Sequence, residues 1–171
     1  MSPMRHQPDQ DHIMANADQN IHAAEITDKF SVAEALYRFA AGIDLKDSDL
    51  LASAFATDAI SDFRPAGAKA GFEYPVLQGR ENIVAALSGS LKSLETTHSV
   101  SNPRITIDGD TARLDALVEA QHVPATDPSR HYLMKNRYDV ELTRLDGVWV
   151  IQHVIIDNVW RSGDPTVLAD I

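Results

Sequence analysis

His98 and His122 are the side chains best suited to chemistry. His98 stands in Thr96-Thr97-His98-Ser99-Val100-Ser101-Asn102, and His122 closes the run Ala112-Arg113-Leu114-Asp115-Ala116-Leu117-Val118-Glu119-Ala120-Gln121-His122. An imidazole titrates near neutral pH, so a histidine facing a cavity can take a proton from carbon or give one to a leaving oxygen. Positions 112, 114, 116, 118 and 120 are apolar, and strand parity puts His122 on the same buried side. Each histidine also has a structural reading: His98 satisfying loop backbone, His122 hydrogen-bonded within a core.

The next alternating run places Tyr132, Met134, Asn136, Tyr138, Val140 and Leu142 on one face. Asn136 and Tyr138 are therefore candidate groups for orienting a ligand, although Tyr138, like Trp149, also reads as a packing residue. Near the chain end Asn158 shares parity with Gln152, His153 points the other way, and Trp160 is expected to close the mouth of a pocket. His131 and His153 read as surface or interface residues. His6, His12 and His22 fall in a polar N-terminal stretch and read as solvated.

Composition narrows the function classes. The chain has 171 residues, 44% hydrophobic, enough for one domain with a sizeable core. Aromatic residues are only 6%, and the formal charge is −10 with no Lys/Arg run, so nucleic acid is not an expected partner. There is no cysteine, which removes disulfides, thiolate nucleophiles and Cys-based zinc sites and suits a reducing cytoplasm. No apolar stretch approaches the roughly 18 residues of a membrane span, and no apolar signal core is present. A cytoplasmic protein without a membrane partner is expected.

Elements must hold these side chains in place. Residues 1–24 lack a sustained period and read as a mobile tail. From a cap at Thr27 or Asp28, apolar residues recur at Val32, Leu36, Phe39, Ala40 and Ile43, the spacing of a helix ending near Asp44. Ser48 or Asp49 is expected to cap a second helix through Leu51 and Phe55, followed at Thr57-Asp58 by a loop or short strand. Pro65, Gly67, Gly71, Pro75 and Gly79 predict a loop or hairpin over residues 64–79. A third helix runs from Gly79-Arg80-Glu81-Asn82 through Ile83, Leu87, Leu91 and Leu94. Strands follow at about 98–107, 111–123, 131–145 and 148–160, with turns at Asp108-Gly109-Asp110 and Asp146-Gly147. This order predicts an α+β domain over residues 25–165, a C-terminal tail at 166–171, and a small-molecule pocket between helices and sheet.

Leu36-Tyr37-Arg38-Phe39-Ala40-Ala41-Gly42-Ile43-Asp44-Leu45-Lys46-Asp47, Phe55-Ala56-Thr57-Asp58-Ala59, Gly79-Arg80-Glu81-Asn82-Ile83, Thr97-His98 with Asn102, and Arg144-Leu145-Asp146-Gly147-Val148-Trp149-Val150-Ile151 carry a resemblance. In order and spacing they resemble the SnoaL-like branch of the nuclear transport factor 2 superfamily, over about residues 26–163. The resemblance implies a cone-shaped α+β barrel, three N-terminal helices on a curved, mainly antiparallel sheet. The chain looks most similar to scytalone dehydratases, bile-acid dehydratases and hexachlorocyclohexane dehydrochlorinases. In these an Asp and a His form a dyad lining the pocket, and the matching positions are Asp44 and His98. His122 matches a second pocket His of scytalone dehydratases. Phe39 stands where several relatives carry Tyr, and Val154 where some carry Arg; Phe39 is expected among the substrate contacts.

Combined with the residues, the resemblance implies a cofactor-independent lyase or isomerase acting on a small hydrophobic cyclic or polyketide-like compound. His98 is assigned as base, Asp44 holds its tautomer, and His122 donates to a leaving oxygen or enolate. Two histidines and a carboxylate can also hold iron or zinc, but no His-x-His or His-x-x-x-His spacing occurs, and no metal or cofactor is expected. The alternatives are a non-catalytic binding or assembly module, or a non-catalytic subunit of a ring-hydroxylating dioxygenase. The last strand is apolar on both faces, Trp149, Ile151 and Ile155 against Val150, Val154 and Ile156, so a homodimer or homotrimer is expected.

Overall fold

No proline or glycine interrupts the sequence between Pro8 and Gly42, and the first helix uses nearly all of that length. The computed structural model describes residues 10–71 and 73–168, and in it α1 spans Gln10–Asp44. It therefore begins well before the expected cap, and residues 10–24, expected as tail, are helical; residues 1–9 lie outside the described residues. Thr27 and Asp28 do not cap. The Thr27 hydroxyl donates back to the Ala23 carbonyl at 2.9 Å, and Asp28 pairs with Arg144 at 3.2 Å. Among the described residues, the C-terminal part of α1 enters the core through Val32, Leu36, Phe39, Ala40 and Ile43.

Helix α2, Ser48–Ser53, is capped by Asp47 rather than by Ser48 or Asp49. The Asp47 carboxylate accepts the backbone N–H groups of Asp49 and Leu50 at 3.1 and 2.9 Å. Gly42 explains the tight packing of α1 on α2, since a Cβ there would stand 2.5 Å from the Leu51 nitrogen.

Strand β1, Phe55–Asp62, leads to a helix where the sequence predicts a loop or hairpin: α3, Arg64–Ala70. Pro65 sits in its first turn, where a missing N–H costs nothing, and Gly71 closes it at φ 89°. Two of the residues that signal a break, Pro65 and Gly71, mark its two ends, while Gly67 is buried within it. A two-residue β2, Leu77–Gln78, precedes α4, Arg80–Ser90, which stops before Leu94 because Leu94 already opens the sheet.

Strands β3 (Leu94–Asp108), β4 (Thr111–Pro124), β5 (Tyr132–Leu145) and β6 (Val148–Gly163) form an antiparallel meander close to the expected bounds. Asp146 and Gly147, at φ 50° and 81°, make the tight turn between β5 and β6. The full order is β2-β1-β6-β5-β4-β3, with β1 parallel to β6 and every other pair antiparallel. Among the described residues the fold is α+β, four helices on a six-stranded mixed sheet that stays open: the edge strands β2 and β3 do not pair. Even-numbered residues of β4 and β5 face the helices, from Ala112 to His122 and from Tyr132 to Leu142.

The chain end also packs. A 3-10 helix, Pro165–Leu168, buries Val167 completely, so residues 166–168 are not a free tail. Among the described residues no helix is long and apolar enough to cross a membrane.

Candidate active site

Register brings the two histidines together. His98 lies opposite Ala120 on β4, and His122 lies opposite Thr96 on β3, one step along the same face. Their rings meet edge to face at 5.9 Å, and both line a cavity of about 130 Å³ between sheet and helices. Phe39 and Ile43 of α1, Leu87 and Leu91 next to them in space, and Ala120, Met134 and Ile156 of the sheet supply much of its apolar wall.

Asp44, at the end of α1, reaches His98 from behind. Its Oδ1 accepts from His98 Nδ1 at 2.6 Å and from the Thr96 hydroxyl at 2.9 Å, and its Oδ2 accepts the His98 backbone N–H at 2.7 Å. Three donors fix one carboxylate and set the His98 tautomer, leaving Nε2 with its lone pair. Burial pushes the Asp44 carboxyl up, but the hydrogen bonds and charge of His98, with Thr96, outweigh it and hold the group below the usual carboxylate range. Asp44 is not itself part of the cavity wall; it opens instead to a shallow surface recess with Tyr37, Ala40, Ala41 and Val100. The expected dyad is thus a pair in which only His98 faces the cavity. These oxygens are spent on His98 and Thr96, and no group of three or more metal-ligating side chains converges among the described residues.

His122 differs from its expected role. Its Nδ1 lies 3.2 Å from the Tyr132 carbonyl, which can only accept, so Nδ1 carries the proton and Nε2 is an acceptor. Burial, and then the neighbouring His98, push the imidazole down to about 4 against that hydrogen bond. At neutral pH it has no proton to give from Nε2, so it is not the resting acid that the sequence suggests.

Asn136, Tyr138 and Phe39 all line the cavity as expected. Phe39 packs edge-on against Phe55 at 5.4 Å and tilted against Tyr138 at 6.1 Å. Burial, and then Asp44, raise the Tyr138 hydroxyl above its ordinary range, which keeps it a neutral donor. Trp160 does not close the mouth: it is 47% exposed and absent from the wall. A bulge at Lys135/Asn136 pairs Asn136 with Asn158 and Lys135 with Trp160, so Trp160 falls on the other face from Asn158. Val154 is fully buried in the core.

Several wall residues carry no clear sign in the sequence. Ser61, Phe63, Tyr74, Leu77, Ser90 and Leu168 all contribute, and the Phe63 and Tyr74 rings meet edge to face at 5.3 Å. Two aromatics flanking a segment rich in Pro and Gly are the available signal.

The family profile of the SnoaL-like domain matches residues 24–155. The chain belongs to the SnoaL-like domain family. Terrestric acid biosynthesis cluster protein E of Penicillium crustosum is 26% identical over 151 residues, covering 84% of this chain and 91% of that protein. Among solved structures, the Kfla4162 protein of Kribbella flavida superposes with a TM-score of 0.75 at 24% identity, covering 85% of this chain and 99% of the other. A provisionally named scytalone dehydratase from Novosphingobium aromaticivorans gives 0.71 at 16% identity, covering 84% and 91%. At these identities the structural likenesses establish the SnoaL-like fold.

Proposed function

We propose that this SnoaL-like chain is a cofactor-independent lyase or isomerase, of dehydratase type, that moves a carbon-bound proton on a small, mainly apolar ring compound. The observation that carries the reading is the Asp44–His98 pair, held by three hydrogen bonds into one carboxylate and presenting a single imidazole nitrogen to an apolar cavity. His98 Nε2 takes the proton from a carbon next to a carbonyl or activated ring. Asp44 accepts Nδ1–H throughout and stabilises the imidazolium that forms. In an elimination the C–H electrons become the new double bond, the C–O bond breaks, and the His98 imidazolium returns its proton to the departing hydroxyl as water. In an isomerisation the same proton returns at another carbon. His122 Nε2 accepts from a substrate hydroxyl and orients it.

Size supports a one-ring substrate: a dry cavity of about 150 Å³ holds benzene, and this one measures about 130 Å³. A relative from a terrestric acid biosynthesis cluster and a fold neighbour named as a scytalone dehydratase support small-molecule chemistry. The test is a panel of cyclic hydroxy-ketones assayed for water loss and double-bond migration. His98→Ala and Asp44→Asn are expected to lower turnover by about 10²-fold or more while leaving the fold intact. Full activity in both variants refutes the mechanism, and tight binding with no turnover across the panel favours a binding module.

A further inference from the structure

The cavity contains an amide whose orientation is dictated from outside it. Asn136 is 1% exposed and its neighbour Asn158 is 3% exposed, and the bulge between β5 and β6 sets them side by side. Arg161 Nη1 lies 3.3 Å from the outer end of the Asn158 amide, and a guanidinium can only donate, so that end is the oxygen. The Asn158 nitrogen then faces the carbonyls of Trp160 and Lys135 at 3.0 and 3.4 Å, both acceptors beside the bulge. The same nitrogen donates to Asn136 Oδ1 at 2.9 Å. Both ends of Asn136 are thereby assigned: its oxygen is spent on Asn158, and its –NH2 has no protein partner among the described residues, although Asn136 lines the cavity. An uncommitted amide donor on the wall of a mainly apolar cavity favours a ligand that supplies an acceptor there.

We propose that Asn158, anchored by Arg161 and the bulge carbonyls, is a positioning residue that turns the Asn136 –NH2 into the cavity and selects ligands placing a carbonyl or enolate oxygen there. The inference rests on the cavity being the ligand site assigned above, but not on proton transfer at His98. It adds a requirement that the histidines do not impose, because His122 Nε2 seeks a donor on the ligand while Asn136 seeks an acceptor.

The experiment uses the full chain and cyclohexanone, a one-ring ketone with an acceptor and no donor. Its bound carbonyl stretch is recorded by difference infrared spectroscopy and its affinity by NMR titration. In the wild-type protein the stretch is expected below its value in alkane solvent. Asn158→Asp keeps an acceptor for Arg161 but draws the Asn136 –NH2 toward itself, so the stretch rises to the alkane value and binding weakens about 10-fold. Asn136→Leu gives the same loss and decides the matter if Asn158→Asp does not fold, as judged by thermal melting. Turnover of His98→Ala is measured in the separate water-loss assay, so failure of the acid-base mechanism is read separately from failure of this one. An alkane-like stretch in the wild type, an unshifted stretch in folded Asn158→Asp or Asn136→Leu, or no saturable binding of cyclohexanone overturns the proposal.

Discussion

Replacing His122 with Asn removes the titrating ring while leaving an amide N–H that can donate to the Tyr132 carbonyl. The variant isolates what a buried neutral imidazole does to stability. In the folded chain His122 stays neutral down to about pH 4, against 6.5 for the ordinary imidazole of an unfolded chain. Between those values the unfolded state binds the extra proton, so stability falls as the pH falls. The difference, about 2.5 pH units, corresponds to about 3 kcal/mol at ~1.36 kcal/mol per unit. Asp44, whose hydrogen bonds outweigh its burial, loses its contribution as the pH falls through its own lowered value. That loss is common to both proteins. Urea unfolding, followed by the fluorescence of buried Trp149, gives the free energy at several pH values from about 7 to 4. The wild type is expected to lose about 3 kcal/mol more than His122→Asn over that range. Parallel stability curves refute the reasoning, and so does an NMR titration showing His122 protonating near 6.5 in the folded protein.

Gly42→Ala is expected to cost about 1–3 kcal/mol, because the new Cβ meets the Leu51 backbone and not a movable side chain; thermal melting measures it. Tyr138→Phe, which removes the hydroxyl but keeps the ring against Phe39, is expected to leave stability within about 0.5 kcal/mol and lower turnover or ligand affinity, read by kinetics or titration. Trp160→Ala is expected to leave turnover unchanged, since the ring is outside the cavity; a loss of rate restores Trp160 to the mouth. Leu145, Val148, Val159 and Trp160 are exposed, and light scattering is expected to show a dimer or trimer at micromolar concentration. A monomer removes that expectation.

The sheet is legible in the sequence because period-two alternation is strict in β4 and β5, where one face is buried and the other is not. That parity alone brings His122, Asn136 and Tyr138 to one face. The end of α1 is legible for the same reason, since Val32, Leu36, Phe39 and Ile43 face the core. Its start is not, because a polar stretch reads as disorder even where no helix breaker is present. Helix α3 is hidden because Pro65 and Gly71 are equally signs of a loop and of a helix's two ends. The placement of Asp44 behind His98 comes from resemblance, since no periodicity predicts which carboxylate meets a residue 54 positions away. The role of His122 needs a backbone carbonyl, Tyr132, that no side-chain pattern reveals. The displacement of Trp160 needs the bulge, one extra residue that reverses the parity of the strand beyond it.

The parallel pairing of β1 with β6 bears on how the molecule is made. Strands β3 to β6 pair with their neighbours in the chain, whereas Phe55 waits for Ile151. Contacts of that separation are slow to close. During synthesis α1 and β1 leave the ribosome before β6, the strand that joins β1 to the meander and against which α1 also packs, so that part of the platform forms last. Asp44 travels with that helix and His98 with the meander. Their hydrogen bond therefore reports the docking of two halves, and an amide-exchange measurement at His98 N–H follows that docking directly.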